Sequence, residues 1–171
     1  MNLAEHIRDI PDFPKEGILF KDITTLIGHP EAFRATIDQF QERFKASGAD
    51  AVVAVEARGY IFGAPLADRL GIRFVPVRKP GKLPYETISE DYDLEYGSNT
   101  LEIHSDALRG GEKVIIIDDL IATGGSAAAT VSLVKKLGAE VLALGCVIEL
   151  AFLDGRQRLD GVPVEALLTY D

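Results

Sequence analysis

Residues 114–128 are Val-Ile-Ile-Ile-Asp-Asp-Leu-Ile-Ala-Thr-Gly-Gly-Ser-Ala-Ala, and this stretch decides the fold. Its first four residues are apolar and β-branched, which predicts a buried strand over 114–117. Two acids follow the strand, and a short loop leads from them to the pair Gly124-Gly125. Apolar residues at helical spacing come next, so we predict a helix from near Ser126 to Gly138. The stretch therefore predicts a strand, an acidic turn, a small-residue loop and a helix in direct succession.

The loop and the start of the helix favour binding of a phosphate. Loop amides and a helix N-terminus attract an anion, and glycines let it approach the backbone. Thr123 and Ser126 can add hydroxyl donors. The adjacent acids Asp118 and Asp119 would repel a phosphate, but they suit ribose hydroxyls or a hydrated cation. Together the two halves indicate a site for a phosphorylated sugar.

Taken alone, the same residues also have a simpler interpretation. The two acids could form a solvated turn, and residues 123–126 could be a loop that only needs positive φ. No Lys follows the glycines, so the loop is not a Walker A sequence, and its spacing does not match a dinucleotide-binding fingerprint. Both interpretations stay open on these residues alone.

Composition limits the classes of protein that fit. The chain has 171 residues, 47% of them hydrophobic and 26% charged, which is enough for one domain with a sizeable core. Its formal net charge of −9 argues against a nucleic-acid partner, which needs a basic surface. Cys146 is the only cysteine and lies in an apolar run, so we expect a buried, inert thiol.

Metal and targeting signals are weak in this sequence. His6, His29 and His104 have no metal-ligand spacing between them. The amino terminus is too polar for a signal peptide, and no apolar run approaches the roughly 20 residues of a membrane span. We therefore expect a cytoplasmic protein with no membrane partner.

Strands and helices alternate along the chain. Short apolar runs predict strands at 51–55, 74–77, 141–148 and 162–168, and apolar residues at helical spacing predict helices at 30–47 and 62–70. This alternation favours an α/β fold with a mainly parallel sheet and helices on both faces. At the amino terminus, Leu3, Ile7 and Ile10 predict a short amphipathic helix that Pro11 ends.

Cations follow two of these strands. Arg58 comes shortly after the strand 51–55 and could bind an anion at the carboxyl end of the sheet. Arg78, Lys79 and Lys82 form a second group of cations after the strand 74–77. A surface arginine and a solvated charge run are the simpler interpretations. In an acidic protein that binds a polyanion, however, such a concentration is more consistent with a phosphate ligand.

Two further features lie outside the predicted sheet. Phe20, followed by Lys21, offers an aromatic face beside backbone polar groups, which suits a planar heterocycle. Residues 85–99 are mostly polar and acidic, and Tyr96-Gly97-Ser98-Asn99 predicts a hairpin turn. A hairpin beside the sheet could act as a mobile lid that excludes water.

Ordered blocks of the chain resemble the type I phosphoribosyltransferase family. Residues 118–126, Asp-Asp-x-x-Ala-Thr-Gly-Gly-Ser, are similar to that family's motif for 5-phosphoribosyl 1-pyrophosphate (PRPP). The resemblance covers almost the full length and is closest to the members that act on adenine. It includes Ile-Pro-Asp-Phe-Pro-x-x-Gly-Ile-Leu-Phe-Lys-Asp-Ile-Thr (10–24), Ala-Arg-Gly-Tyr-Ile-Phe-Gly (57–63), Arg-Lys-Pro-Gly-Lys-Leu-Pro (78–84) and Leu-Glu-Tyr-Gly (94–97).

The resemblance implies a fold and a reaction. The fold would be the type I phosphoribosyltransferase fold in a single domain, 1–171, with a five-stranded parallel core flanked by helices. A small N-terminal hood would come largely from residues 1–30, and a flexible hairpin lid from about 82–104. The reaction would be purine salvage, in which adenine and PRPP give AMP and pyrophosphate with Mg²⁺. The protein would be a homodimer.

Site residues are implied by the same resemblance. The 5′-phosphate would be bound by Ala122, Thr123, Gly124, Gly125 and Ser126. Asp118 and Asp119 would bind the ribose hydroxyls, directly or through water on an Mg²⁺ ion that has no direct protein ligand. Arg58 and Lys82 would bind pyrophosphate, with a cis peptide at Glu56-Ala57. Adenine would lie against Phe20, with backbone groups of Leu19 and Lys21 at its edge. Glu95 would protonate the ring as N9 attacks, and Tyr96 would close over the site.

Two other functions are compatible with the PRPP motif. A sister enzyme for hypoxanthine, guanine or xanthine would share the phosphate half of the site, but 6-oxo purines need a hydrogen-bond donor at position 6. Residues 19–21 and 94–97 favour adenine. A PRPP-sensing transcription regulator would need a DNA-binding module, and the sequence has neither a spare helix-turn-helix nor a basic face.

Overall fold

The computed structural model describes residues 1–94 and 96–171. Its helices and strands, in chain order, are β1 (Arg8–Pro11), β2 (Leu19–Asp22), α1 (Thr24–Ile27), α2 (Pro30–Phe44), β3 (Ala51–Val55), α3 (Arg58–Leu70), β4 (Arg73–Val77), β5 (Thr87–Asp93), β6 (Ser98–His104), β7 (Lys113–Ile121), α4 (Gly125–Lys136), β8 (Glu140–Leu150) and β9 (Val164–Tyr170). Short 3₁₀ helices lie at Leu3–His6, Ala151–Leu153 and Gly155–Leu159.

The centre of the fold is a five-stranded sheet in the order β4-β3-β7-β8-β9. All four neighbouring pairs in this sheet are parallel. The predicted α/β class is therefore confirmed. Since the strands are parallel, their carboxyl ends meet at one edge, where ligands of such sheets bind.

The sheet separates two apolar cores because successive residues of a strand point to opposite faces. In β7, Ile115 and Ile117 pack with residues of α2 and α3 on one face. Val114 and Ile116 pack with residues of α4 on the other. All four side chains are fully buried. Burial on both faces explains why β7 begins as a continuous apolar run in the sequence.

The amino-terminal segment differs from the prediction. The amphipathic helix expected up to Pro11 is wrong: a 3₁₀ helix, Leu3–His6, is followed by β1, which pairs antiparallel with β2. Cross-strand ion pairs favour this hairpin, with Arg8 2.6 Å from Asp22 and Lys21 2.7 Å from Asp9.

A second hairpin, β5–β6, forms from the mostly polar segment 85–99 and the residues that follow it. The negative charge of Glu90 in this hairpin is balanced by Lys136 of α4 at 2.5 Å, and Glu90 also accepts a hydrogen bond from Ser132 at 2.8 Å. The predicted turn is placed slightly too late in the sequence, because Ser98 and Asn99 already belong to β6. Its role as a moving lid stays a prediction.

Cys146 is fully buried in β8, as the sequence predicts. Burial raises the pKa of its thiol, and the nearby Glu149 and Asp118 raise it further. We expect Ellman's reagent to leave the native protein unmodified at neutral pH and to release one equivalent of thiolate after denaturation. Modification of the native protein at the rate of a free thiol would contradict this placement.

Within the described ranges, no helix is both long enough and apolar enough to cross a lipid bilayer.

Candidate active site

A cavity of about 460 Å³ opens at the carboxyl ends of β3 and β7. Its wall brings together most of the residues that the sequence selected. They are Arg58, Asp118, Asp119, Ala122, Thr123, Gly124, Gly125 and Ser126. These residues come from two separate parts of the chain, and the parallel sheet places them at one edge.

The 122–126 segment contains the β7–α4 connection and the first residues of α4, and it lines this cavity. Gly124 has a φ of 83°, a left-handed conformation that a glycine adopts without strain. Its carbonyl accepts a hydrogen bond from Ala128 N at 2.8 Å, so the helix starts at the loop itself. Among the described side chains none caps α4, so amide groups of its first turn are available to an anion.

The two acids belong to β7 itself rather than to the turn that the sequence predicted. The strand continues to Ile121, and Asp118 and Asp119 are 8% and 6% exposed. β7 continues beyond its apolar run because Asp118 and Leu120 still pair in register with residues of β8. The carboxylates of Asp118 and Asp119 are therefore held by a rigid strand.

Asp118 and Asp119 have different partners. An oxygen of Asp118 accepts the Asp119 amide at 2.8 Å, whereas Asp119 accepts from Arg58 Nε at 2.6 Å. Burial raises the pKa of Asp118 well above its usual value, and the adjacent Asp119 charge adds to this effect. A ligand that supplies hydroxyl donors or a cation would therefore stabilise the ionised form of Asp118.

The start of α3 packs tightly below these acids. A Cβ at Gly59 would lie 2.9 Å from the Ile117 carbonyl oxygen and 3.2 Å from Asp118 Oδ1. Only a residue without a side chain lets the helix approach β7 this closely. The Glu56-Ala57 peptide just before it is cis, as the resemblance implies.

Glu56, which the sequence reasoning missed, organises the cationic loop. It accepts the Lys79 amide at 2.7 Å and faces Arg78 at 3.3 Å and Lys82 at 3.6 Å. Burial alone would raise the pKa of Glu56, but the Lys79 amide and the two cations outweigh it and lower the value. Lys79 lines the cavity, whereas Lys82 lies outside the lining that the described residues form. No local sequence signal marked Glu56, because the cations that face it come more than twenty residues later in the chain.

The predicted adenine residues lie in the hood rather than in the wall of this cavity. Phe20 stacks edge-on against Phe13, with ring centroids 5.1 Å apart. Leu19 is half exposed, and Lys21 Nζ lies between Asp9 and the ring of Tyr170, 4.0 Å from its centroid. The Lys21 side chain is therefore engaged by Asp9 of β1 and Tyr170 of β9. Its backbone role stays a prediction.

The remaining candidates lie in the β5–β6 hairpin. Glu95, the predicted acid, lies outside the described residues. Its neighbours Asp93 and Leu94 line the cavity, as does Tyr92, which the sequence reasoning also missed. Tyr96 is 82% exposed and lies 5.8 Å from Lys15 Nζ. In the part of the chain that is described, no group of three or more His, Cys, Asp or Glu is placed to hold a metal ion.

Comparison with known proteins defines the class. The phosphoribosyl transferase domain family matches residues 23–162, and the fold is that of a phosphoribosyltransferase. An adenine phosphoribosyltransferase of Solidesulfovibrio magneticus is 58% identical over 98% of both chains. The chain belongs to the adenine phosphoribosyltransferase family, whose members are purine-salvage transferases and use PRPP together with Mg²⁺.

Solved structures agree with this assignment. The crystal structure of adenine phosphoribosyltransferase from Thermoanaerobacter pseudethanolicus has a TM-score of 0.95 at 50% identity, with 98% of both chains covered. That of the Saccharomyces cerevisiae enzyme, complexed with an imino-altritol bisphosphate and adenine, has a TM-score of 0.92 at 46% identity and covers 97% of this chain and 96% of the other.

Proposed function

We propose that this protein transfers the phosphoribosyl group of PRPP to N9 of adenine, giving AMP and pyrophosphate. One observation carries the proposal: a single cavity contains an uncapped helix start and, beside it, two buried adjacent acids. The first feature suits a phosphate, and the second suits a ribose. A ligand that carries a phosphate but no ribose would make no use of the two acids.

The 5′-phosphate would lie on residues 122–126. The backbone amides around Gly124 and Gly125 can donate to it, and the hydroxyls of Thr123 and Ser126 add two donors. The partial positive charge at the start of α4 favours the dianion. This end of the site would bind both PRPP and AMP, since both carry the 5′-phosphate.

The ribose would lie over Asp118 and Asp119. Their carboxylate oxygens can accept hydrogen bonds from sugar hydroxyls. The raised pKa of Asp118 indicates that a nearby positive charge would stabilise its ionised form. The donor set fits Mg²⁺ that arrives on PRPP and keeps its waters, because two adjacent carboxylates can hydrogen bond to those waters. When bound, Mg²⁺ neutralises charge on the pyrophosphate and makes it a better leaving group.

The leaving group would lie near Arg58 and the cationic loop. Arg58 is half exposed and can exchange its contact with Asp119 for a pyrophosphate oxygen. Lys82 would join it from the loop that Glu56 organises, and Lys79 already lines the cavity. Cleavage of the C1′–O bond builds positive charge on the sugar and negative charge on pyrophosphate. Acids below the ring and cations at the leaving group stabilise both.

The base would enter from the hood. Adenine would lie against Phe20, with the backbone of Leu19 and Lys21 at its edge, and Glu95 would protonate the ring as N9 attacks. Tyr96 would close over the site with the 82–104 segment, and residues 1–30 would form most of the hood. We also propose that the enzyme is a homodimer. A cytoplasmic location stays a prediction from the sequence.

Phe20→Ala should raise the KM for adenine about 10-fold or more, since loss of stacking on a base typically costs 1–3 kcal/mol. The KM for PRPP should change little, because the phosphate and ribose contacts are elsewhere. Phe152→Ala is the control, as Phe152 is 61% exposed and lies in neither the hood nor the cavity wall. Equal KM values for adenine in Phe20→Ala and wild type would remove Phe20 from the base site.

The proposed reaction is tested by product analysis. Incubation with PRPP, adenine and Mg²⁺ should give AMP and pyrophosphate in equal amounts. Omission of either substrate should abolish both products. Binding of PRPP without any AMP would contradict the proposal.

A further inference from the structure

The connection between β8 and β9 lies directly against the 122–126 segment. Gly155 is buried there, and a Cβ at this position would be 3.1 Å from Gly124 N and 2.9 Å from Ile121 Cγ2, and closer still to the Ala122 carbonyl oxygen. In the other direction, a Cβ at Gly124 would be 3.1 Å from Gly155 Cα. Two backbones are therefore in contact with no side chain between them.

An ion pair between a buried carboxylate and a half-exposed arginine fixes this connection to the sheet. Arg156 donates through Nε and Nη2 to the two oxygens of Glu149, at 2.6 Å for the Nη2 bond, and through Nη1 to the Val164 carbonyl at 3.1 Å. Glu149 lies in β8 opposite Ile121 of β7, and its side chain is only 5% exposed. A single guanidinium thus joins the end of β8, the connection and the start of β9.

This ion pair is not part of the cavity wall described above. A carboxylate buried to this degree needs its partner, because an unpaired buried charge is strongly unfavourable. Leu159, in the same connection, is fully buried and anchors it in the core. The connection is therefore a rigid support on the far side of the loop, and Gly155 is the point at which the support touches it.

We propose that Gly155 and the Glu149–Arg156 pair are positioning residues for the 5′-phosphate. They hold the backbone of residues 122–124 so that its amides point to the phosphate. The proposal rests on the function proposed for this loop. It adds that part of the affinity for PRPP is set by a segment about 30 residues further along the chain, which contacts no substrate.

Gly155→Ala is the direct test, because the new methyl group must displace the loop. We expect affinity for ribose 5-phosphate, measured by calorimetry, to fall roughly 10- to 100-fold, as small displacements at a site can produce. The KM for PRPP should rise in parallel. Affinity for inorganic pyrophosphate, which has no 5′-phosphate, should stay within about two-fold of wild type.

The matched control is Gly110→Ala. Both glycines lie outside the left-handed region, but a Cβ at Gly110 meets no atom within 4 Å. This variant should bind both ligands like wild type. It separates the effect of the methyl group at the contact from the effect of replacing a glycine.

A second pair of variants decides the proposal if Gly155→Ala does not fold. Arg156→Gln removes the charge opposite Glu149, whereas Arg156→Lys keeps the charge with fewer donors. Ribose 5-phosphate affinity should fall in the order wild type, Arg156→Lys, Arg156→Gln, again with pyrophosphate affinity unchanged. A lower melting temperature with no selective loss for the phosphate sugar would indicate a purely structural role.

The outcomes separate this proposal from the function on which it rests. Wild-type affinity of Gly155→Ala for ribose 5-phosphate, or an equal loss for both ligands, would overturn the positioning role alone. If Gly124→Ala also left ribose 5-phosphate binding unchanged, the loop itself would not bind the phosphate, and the proposed function would fail.

Discussion

Replacement of both Asp118 and Asp119 by Asn is expected to reduce turnover by at least ~10³-fold, because it removes the negative charges that stabilise the positive charge developing on the ribose. The fold should survive. The pKa of Asp118 is raised in the folded protein, so its ionised form disfavours folding, and this unfavourable contribution grows as pH rises above its unfolded value. Asn removes that repulsion, and the melting temperature at pH 7 should stay equal or increase.

The control for the double variant is the same substitution at an acid elsewhere on the protein. Asp68 is exposed on α3, and Asp68→Asn should retain wild-type activity. Steady-state assays with PRPP and adenine, together with thermal unfolding, measure both parts of the prediction. Near-normal turnover in the folded double variant would remove these acids from the mechanism.

Glu95→Gln is expected to lower kcat by ~10²-fold or more, as for loss of a general acid, with small changes in both KM values. The prediction comes from the resemblance, and Leu94, the preceding residue in the sequence, lines the cavity. A glutamine keeps the shape of the side chain but cannot donate the proton in the same way. The loss should therefore appear in the chemical step.

The control for Glu95 is Glu86→Gln, which changes an exposed acid in the same polar segment. Pre-steady-state measurement of AMP formation separates the chemical step from product release. Unchanged AMP formation in Glu95→Gln would place the proton donor elsewhere.

The buried sheet was the most predictable part of the fold. The strand predicted at 51–55 is β3 to the residue, and the helix predicted at 30–47 is α2, three residues shorter. Strands buried on both faces require continuous apolar runs, so their signal is local. The same holds for the loop after β7, where glycines and hydroxyls lie next to one another in sequence.

Elements fixed by distant partners were less predictable. Ile7 and Ile10 fit a helix locally, but the pairing of Arg8 with Asp22 and of Asp9 with Lys21 makes the segment a strand. The same applies to the support of the 122–126 segment. Residues 155–158 look like a polar connection in the sequence, and only the folded sheet places Gly155 against Gly124.

The candidate site was predictable as far as it depends on short motifs. Arg58, Asp118 and the loop glycines were selected from the sequence, and the fold brings them into one cavity. Glu56 was missed because its role depends on a loop more than twenty residues later, whose amide and cations converge on it. The choice between Lys79 and Lys82 likewise depends on the path of that loop, which determines that Lys79 lines the cavity.

Base selectivity under competition is the most direct test of the central claim. The enzyme, PRPP and Mg²⁺ are mixed with adenine, hypoxanthine, guanine and xanthine at equal concentrations, and the nucleotides are separated and quantified. The account predicts AMP as the dominant product, with the three 6-oxo nucleotides at trace levels. Dominant formation of IMP, GMP or XMP would keep the phosphate half of the site but contradict the assignment of adenine.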